Sequence, residues 1–113
     1  MWRIIARLLT TIIITVCVRA ADEKPVVVDG AYLKAFTVAY SDFRMLRELP
    51  PEKKDLRRYT VHFDGDPTYI VVTFIPKFPP GWFGVGGETP FGRDVSYSIY
   101  RSTNKIAKRQ FGE

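Results

Sequence analysis

Few residues of this 113-residue chain are equipped for chemistry, and they are scattered along it. The single histidine, His62, lies between Thr60 and Asp64 in a strand-like stretch. A metal centre needs several ligands converging on one point, and one imidazole does not supply them. The single cysteine, Cys17, falls in an apolar N-terminal run, so neither a zinc site nor a Cys–His pair is expected beyond it. Ser96 and Ser98 share a strand with no base beside them. Carboxylates are the remaining option. Asp64 and Asp66 stand in one turn, which would hold calcium only weakly. Glu88 and Asp94 are a second pair, able to act only if two carboxyls met in a cleft with one held protonated. Gly84-Val85-Gly86-Gly87 has the glycines of a phosphate cradle. Such a cradle needs a helix behind it and a suitably placed lysine, and here a strand follows. No cofactor and no metal are expected, and an enzyme is the minority reading.

The elements that would position these residues centre on Tyr59–Pro76. Tyr59, Val61 and Phe63 alternate with Thr60 and His62, as in a strand with one wet face. Asp64-Gly65-Asp66-Pro67 is turn chemistry, with glycine for an unusual backbone angle and aspartate to bond back to the local chain. In the next strand Tyr69, Val71, Thr73 and Ile75 alternate with Ile70, Val72 and Phe74. Both sets are largely apolar, which predicts a central position in a sheet. A third strand is predicted over 94–101, with Val95, Tyr97 and Ile99 facing in and Ser96 and Ser98 facing out. Ser102–Lys105 reads as a tight turn. Ile106–Phe111 reads as a last strand, with Lys108 and Arg109 guarding its edge.

Upstream, Asp29 is a good helix N-cap. Tyr32, Leu33, Phe36, Tyr40, Phe43 and Leu46 recur at helical spacing, which predicts a helix over about 30–47, stopped by Pro50 and Pro51. Glu52–Arg58 is a charged connection that reads as a solvated linker rather than a patch for an acidic partner. The expected fold is α+β: one N-terminal helix laid on a four-stranded antiparallel meander.

Residues 1–20 have the layout of an export signal. Arg3 and Arg7 precede an apolar run from Leu8 to Val18, and Val18-Arg19-Ala20 offers a cleavage site. The run is about half of the roughly 20 residues that span a bilayer, so an uncleaved anchor is the weaker alternative. A lipidated Cys17 is weaker again, because the branched Val16 precedes it. Residues 21–28 read as a flexible or extended lead-in, and 29–113 as one domain. Without Arg3, Arg7 and Arg19 the formal charge falls from +5 to +2. That is too small to argue for nucleic acid. The expected location is periplasmic or secreted, with the membrane met only during export.

The long connection 77–93 is the candidate surface. Pro79-Pro80 stiffens it, glycines let it bend, and Phe78, Trp82, Phe83 and Phe91 are large and apolar. Exposed loop aromatics are typical anchors of a protein interface. The same rings are equally able to fold back and cap the core. Phe78, Trp82, Phe83, Phe91 and Arg93 are therefore candidate partner-binding residues. Tyr40, Tyr69 and Tyr97 are candidates for lining a ligand pocket between helix and sheet.

The order of export signal, helix, Tyr59–Pro76 hairpin, Gly-Gly loop, Val95–Tyr100 strand and Asn104–Lys108 terminus resembles small exported bacterial proteins of cystatin-like or NTF2-like arrangement. Pro80-Gly81-Trp82 loosely resembles the proline-tryptophan loop of cystatins, whose glutamine-valine-glycine hairpin is absent. The resemblance implies a helix laid on a sheet over about residues 29–111. Proteins of this arrangement include inhibitors and immunity proteins. The function expected is thus a small exported, non-enzymatic protein that binds another protein, with a periplasmic small-ligand carrier or a carboxylate enzyme as alternatives.

Overall fold

A computed structural model of the chain describes residues 24–82 and 88–112. The leader (1–20), the first residues of the lead-in, Phe83 and the Gly84–Gly87 stretch lie outside the described residues.

The described residues form one α-helix, α1 (Gly30–Phe43), followed by β1 (Tyr59–Gly65), β2 (Tyr69–Pro76), β3 (Glu88–Thr89), β4 (Gly92–Arg93), β5 (Val95–Tyr100) and β6 (Ile106–Phe111). The main sheet has the order β1-β2-β5-β6, with every neighbouring pair antiparallel. This is the expected helix on a four-stranded meander. β2 is internal, as its two apolar faces required.

Alternation decides which side chains meet the helix. Ile70, Val72 and Phe74 of β2 and Val95, Tyr97 and Ile99 of β5 are buried under α1. The helix answers with Ala35, Ala39 and Phe43. The two alanines let it approach closely, and Phe43 stacks on Phe74 at 4.5 Å between ring centroids. Phe43 also meets Tyr59 edge-on at 5.1 Å, and Phe74 meets Tyr97 edge-on at 5.9 Å. Burying each such ring stabilises the fold by roughly 1.5–3 kcal/mol.

α1 starts as expected. The Asp29 carboxylate accepts from the Ala31 N–H at 2.8 Å. It ends at Phe43, four residues short of the position predicted from periodicity. The next amides of Met45 and Leu46 bond three residues back, to Asp42 and Phe43, which tightens the chain out of the α-helix. The Lys54 ammonium then takes the Arg44 carbonyl at 3.0 Å. Leu46 is buried all the same, carried inward by the turn together with Leu49. Two short 3-10 turns, Pro51–Lys53 and Leu56–Arg58, replace the expected linker.

One polar staple joins the layers. The Tyr97 hydroxyl donates to the Asp42 carboxylate at 2.8 Å, and Arg109 of β6 donates to the same oxygen at 2.9 Å. Burial and the adjacent carboxylate push the Tyr97 phenol well above its ordinary range. Among the described residues, no buried side-chain N or O lacks a partner.

Candidate functional site

The connection between β2 and β5 does not behave as one loop. Its second half folds into the ribbon β3–β4, with Glu88 opposite Arg93 and Thr89 opposite Gly92. Pro90 and Phe91 make the turn. The ribbon closes the end of the core where β1 begins. The buried Thr89 hydroxyl donates to the Lys77 carbonyl at 3.1 Å and accepts from the Phe91 N–H at 3.1 Å. The Tyr59 hydroxyl donates to the Lys53 carbonyl at 2.6 Å and accepts from the Arg93 N–H at 3.2 Å. Burial raises the Tyr59 phenol above its usual range, so it stays a neutral donor. Gly92 lies against that ring so closely that a Cβ would strike the hydroxyl. Lys53 adds an ion pair to Glu88 at 3.5 Å.

Two of the candidate interface residues belong to this docked half. Phe91 is half-buried beneath the Arg58 guanidinium, 4.5 Å above its ring. Arg93 is half-buried with its guanidinium 4.7 Å over Phe111 of β6. Both cap the core.

The first half is different. The Lys77 N–H donates to the Arg58 carbonyl at 2.8 Å, which fixes the root of the segment. Beyond it, Phe78-Pro79-Pro80-Gly81-Trp82 turns on itself, with the Trp82 N–H donating to the Pro79 carbonyl at 3.0 Å. Gly81 supplies the positive φ (79°) that this turn needs. Phe78 is 56% exposed and Trp82 is 43% exposed. Phe83, the third candidate ring, lies outside the described residues.

The three pocket tyrosines are not brought together. Tyr97 is fully buried and its hydroxyl is taken by Asp42. Tyr40 is half-buried on α1, stacked on Phe36 at 5.4 Å. Tyr69 pairs with Tyr100 on the opposite face of the sheet, with ring centroids 5.1 Å apart. The register forces this, because Tyr69 alternates with the buried Ile70, Val72 and Phe74.

The carboxylates have separate surroundings. Asp64 accepts from the Gly65 N–H, and Asp66 accepts from the Thr68 and Tyr69 N–H groups at 2.8 Å each. Those backbone donors hold the Asp66 carboxyl below its ordinary value, which marks a turn staple rather than an acid catalyst. Glu88 faces Lys53. Asp94 follows Arg93, the cross-strand partner of Glu88, and leads into β5; burial pushes its carboxyl upward while nearby His62 pulls it partly back. Ser96 has Thr73 within 3.1 Å rather than a base. Among the described residues, no three metal-ligating side chains cluster. No helix among them is long and apolar enough to cross a membrane.

Sequence reasoning missed the roles of the Tyr59 hydroxyl and of Thr89. Both hold the docked half in place, and only Thr89-Pro90-Phe91-Gly92, a turn sequence with proline second and glycine fourth, signalled the ribbon. Comparison of the chain with protein-family models, with curated proteins and with solved structures finds no match.

Proposed function

We propose that this chain is a small exported, non-enzymatic protein that binds another protein through Phe78 and Trp82, in the manner of an inhibitor or immunity protein. One observation carries the reading. Within a single connection, the segment 88–93 is tied to the core by hydrogen bonds, while the two rings of the segment 77–82 stay in solvent on a stiffened turn. Large rings held by Pro79-Pro80 lose little conformational freedom on binding, which suits them as interface anchors. The export reading adds that the partner is met outside the cytoplasm. The mass of the isolated protein tests it, with a new terminus at Ala21 expected.

The binding reading is tested by affinity capture from the source cells with the natural chain, followed by titration of the captured partner. Trp82→Ala weakens that complex by about 2 kcal/mol or more, as loss of an anchor does. The same variant changes unfolding free energy by less than about 0.5 kcal/mol, as a surface substitution does. A large loss of stability with the complex intact would assign Trp82 to the core cap instead.

A further inference from the structure

The two edges of the main sheet are defended unequally. β6 carries Lys108 and Arg109, and charge on an edge strand discourages pairing with another chain. β1 runs Tyr-Thr-Val-His-Phe before its first acid, with neither lysine nor proline. Its backbone orientation follows from the register. The Lys77 N–H donates to the Arg58 carbonyl and the Asp66 N–H to the Tyr69 carbonyl, in step with Thr60 opposite Ile75 and His62 opposite Thr73. The even-numbered residues therefore bond to β2, and Tyr59, Val61, Phe63 and Gly65 turn their N–H and C=O outward. The Tyr59 N–H is taken by the Leu56 carbonyl, and the Gly65 N–H by the Asp64 carboxylate. Val61 and Phe63 are left offering both groups to the open edge, and among the described residues no backbone group bonds to them there.

That window accepts a segment of three extended residues, since only the first and third present their backbone groups to it. Among the described residues, one extended segment pairs with no strand. Val26-Val27-Val28 has no helical or turn structure, is β-branched throughout, and holds Val26 and Val27 at 89% exposure each. Pro25 bounds it on one side, and on the other Asp29 is already committed to capping α1.

We infer that the valine arm of one copy pairs antiparallel with the β1 edge of a second copy, and that the exchange is reciprocal. Val26 and Val28 bond to Val61 and Phe63 of the partner copy. Their side chains fall on the helix-covered face, where Val61 and Phe63 are only half-buried. Val27 lies beside His62 on the opposite face. Arm exchange of this kind is a low-cost route to a two-fold dimer.

Sedimentation of the natural chain over a range of concentrations, with hydrogen exchange read at single amides, tests this. The expected result is a dimer in which the Val61 and Phe63 amides exchange slowly. The double variant Val26→Asp/Val28→Asp is expected to be a folded monomer whose melting temperature no longer depends on protein concentration, with those two amides at the exchange rate of an open edge. A monomer at every concentration overturns the inference. So does a dimer that survives the double variant, or a dimer lost without any change at the Val61 and Phe63 amides.

Discussion

The two halves of the 77–93 connection are made from the same kinds of residue and end in opposite places. Residues 88–93 are bound down by the Thr89 hydroxyl, by the Tyr59 hydroxyl and by Arg58 lying over Phe91. Residues 77–82 are fixed at the Lys77 root and then held only by a bond within their own turn. Aromatic content alone did not separate them, since each half has at least one large ring. The difference lies in the polar partners. A segment whose N–H and C=O groups find buried acceptors and donors becomes part of the core. A segment that satisfies its groups locally leaves its rings facing water, where they are available to another molecule.

The strongest way to break that contrast is to fill the space that lets the docked half lie flat. Gly92→Ala places a methyl where the Tyr59 hydroxyl stands. Either the ring or the ribbon must move, and overpacking of this kind costs about 1–3 kcal/mol. The expected outcome is a clear fall in unfolding free energy by denaturant titration. An unchanged value would mean that the ribbon does not press on Tyr59. A subtler cut is Tyr59→Phe, which keeps the ring and removes its two hydrogen bonds. The Lys53 carbonyl and the Arg93 N–H then lose their shared partner, at a cost of about 1–2 kcal/mol. Hydrogen exchange should quicken at Arg93 and stay the same at Trp82. Quickening at both would show that the two halves move as one, and the contrast would fail.

β1 and β5 were legible because each announced itself through a two-residue alternation, and in β5 the alternation also named the buried face correctly; β6, which lacks that alternation, was legible from the turn before it and its basic edge. β2 was legible as a strand but not as to which side is covered, because both of its faces are apolar. That ambiguity is why Tyr69 and Tyr97 read as neighbours in one pocket, when the pairing of Tyr69 with Tyr100 sets them on opposite faces. The end of α1 was misread because Leu46 keeps the helical period although a tight turn, not a helix, buries it. Two-residue strands such as β3 and β4 are too short to show any period. Tyr59 was legible as a core residue from its strand position. Its hydroxyl partners come from Lys53 and Arg93, 6 and 34 residues away, and no local pattern reports a bond of that range.

The smallest expected effect concerns Asp94, where the docked half passes into β5. Burial raises its carboxyl above the ordinary value, with His62 offsetting part of the rise. A carboxyl that titrates higher in the folded chain than in the unfolded one keeps its proton longer when folded. Its contribution to stability is therefore complete below the unfolded value of about 3.9 and is lost as pH rises through the raised folded value. Asp94→Asn keeps the shape and removes the titration. The melting temperature of the variant, measured against the natural chain over this acidic window, should gain steadily with pH and level off above it. A constant difference would show that Asp94 sits in water like the projecting half. A difference of the opposite sign would mean that attraction from His62 outweighs burial there, and the docked end of the connection would then be polar rather than sheltered.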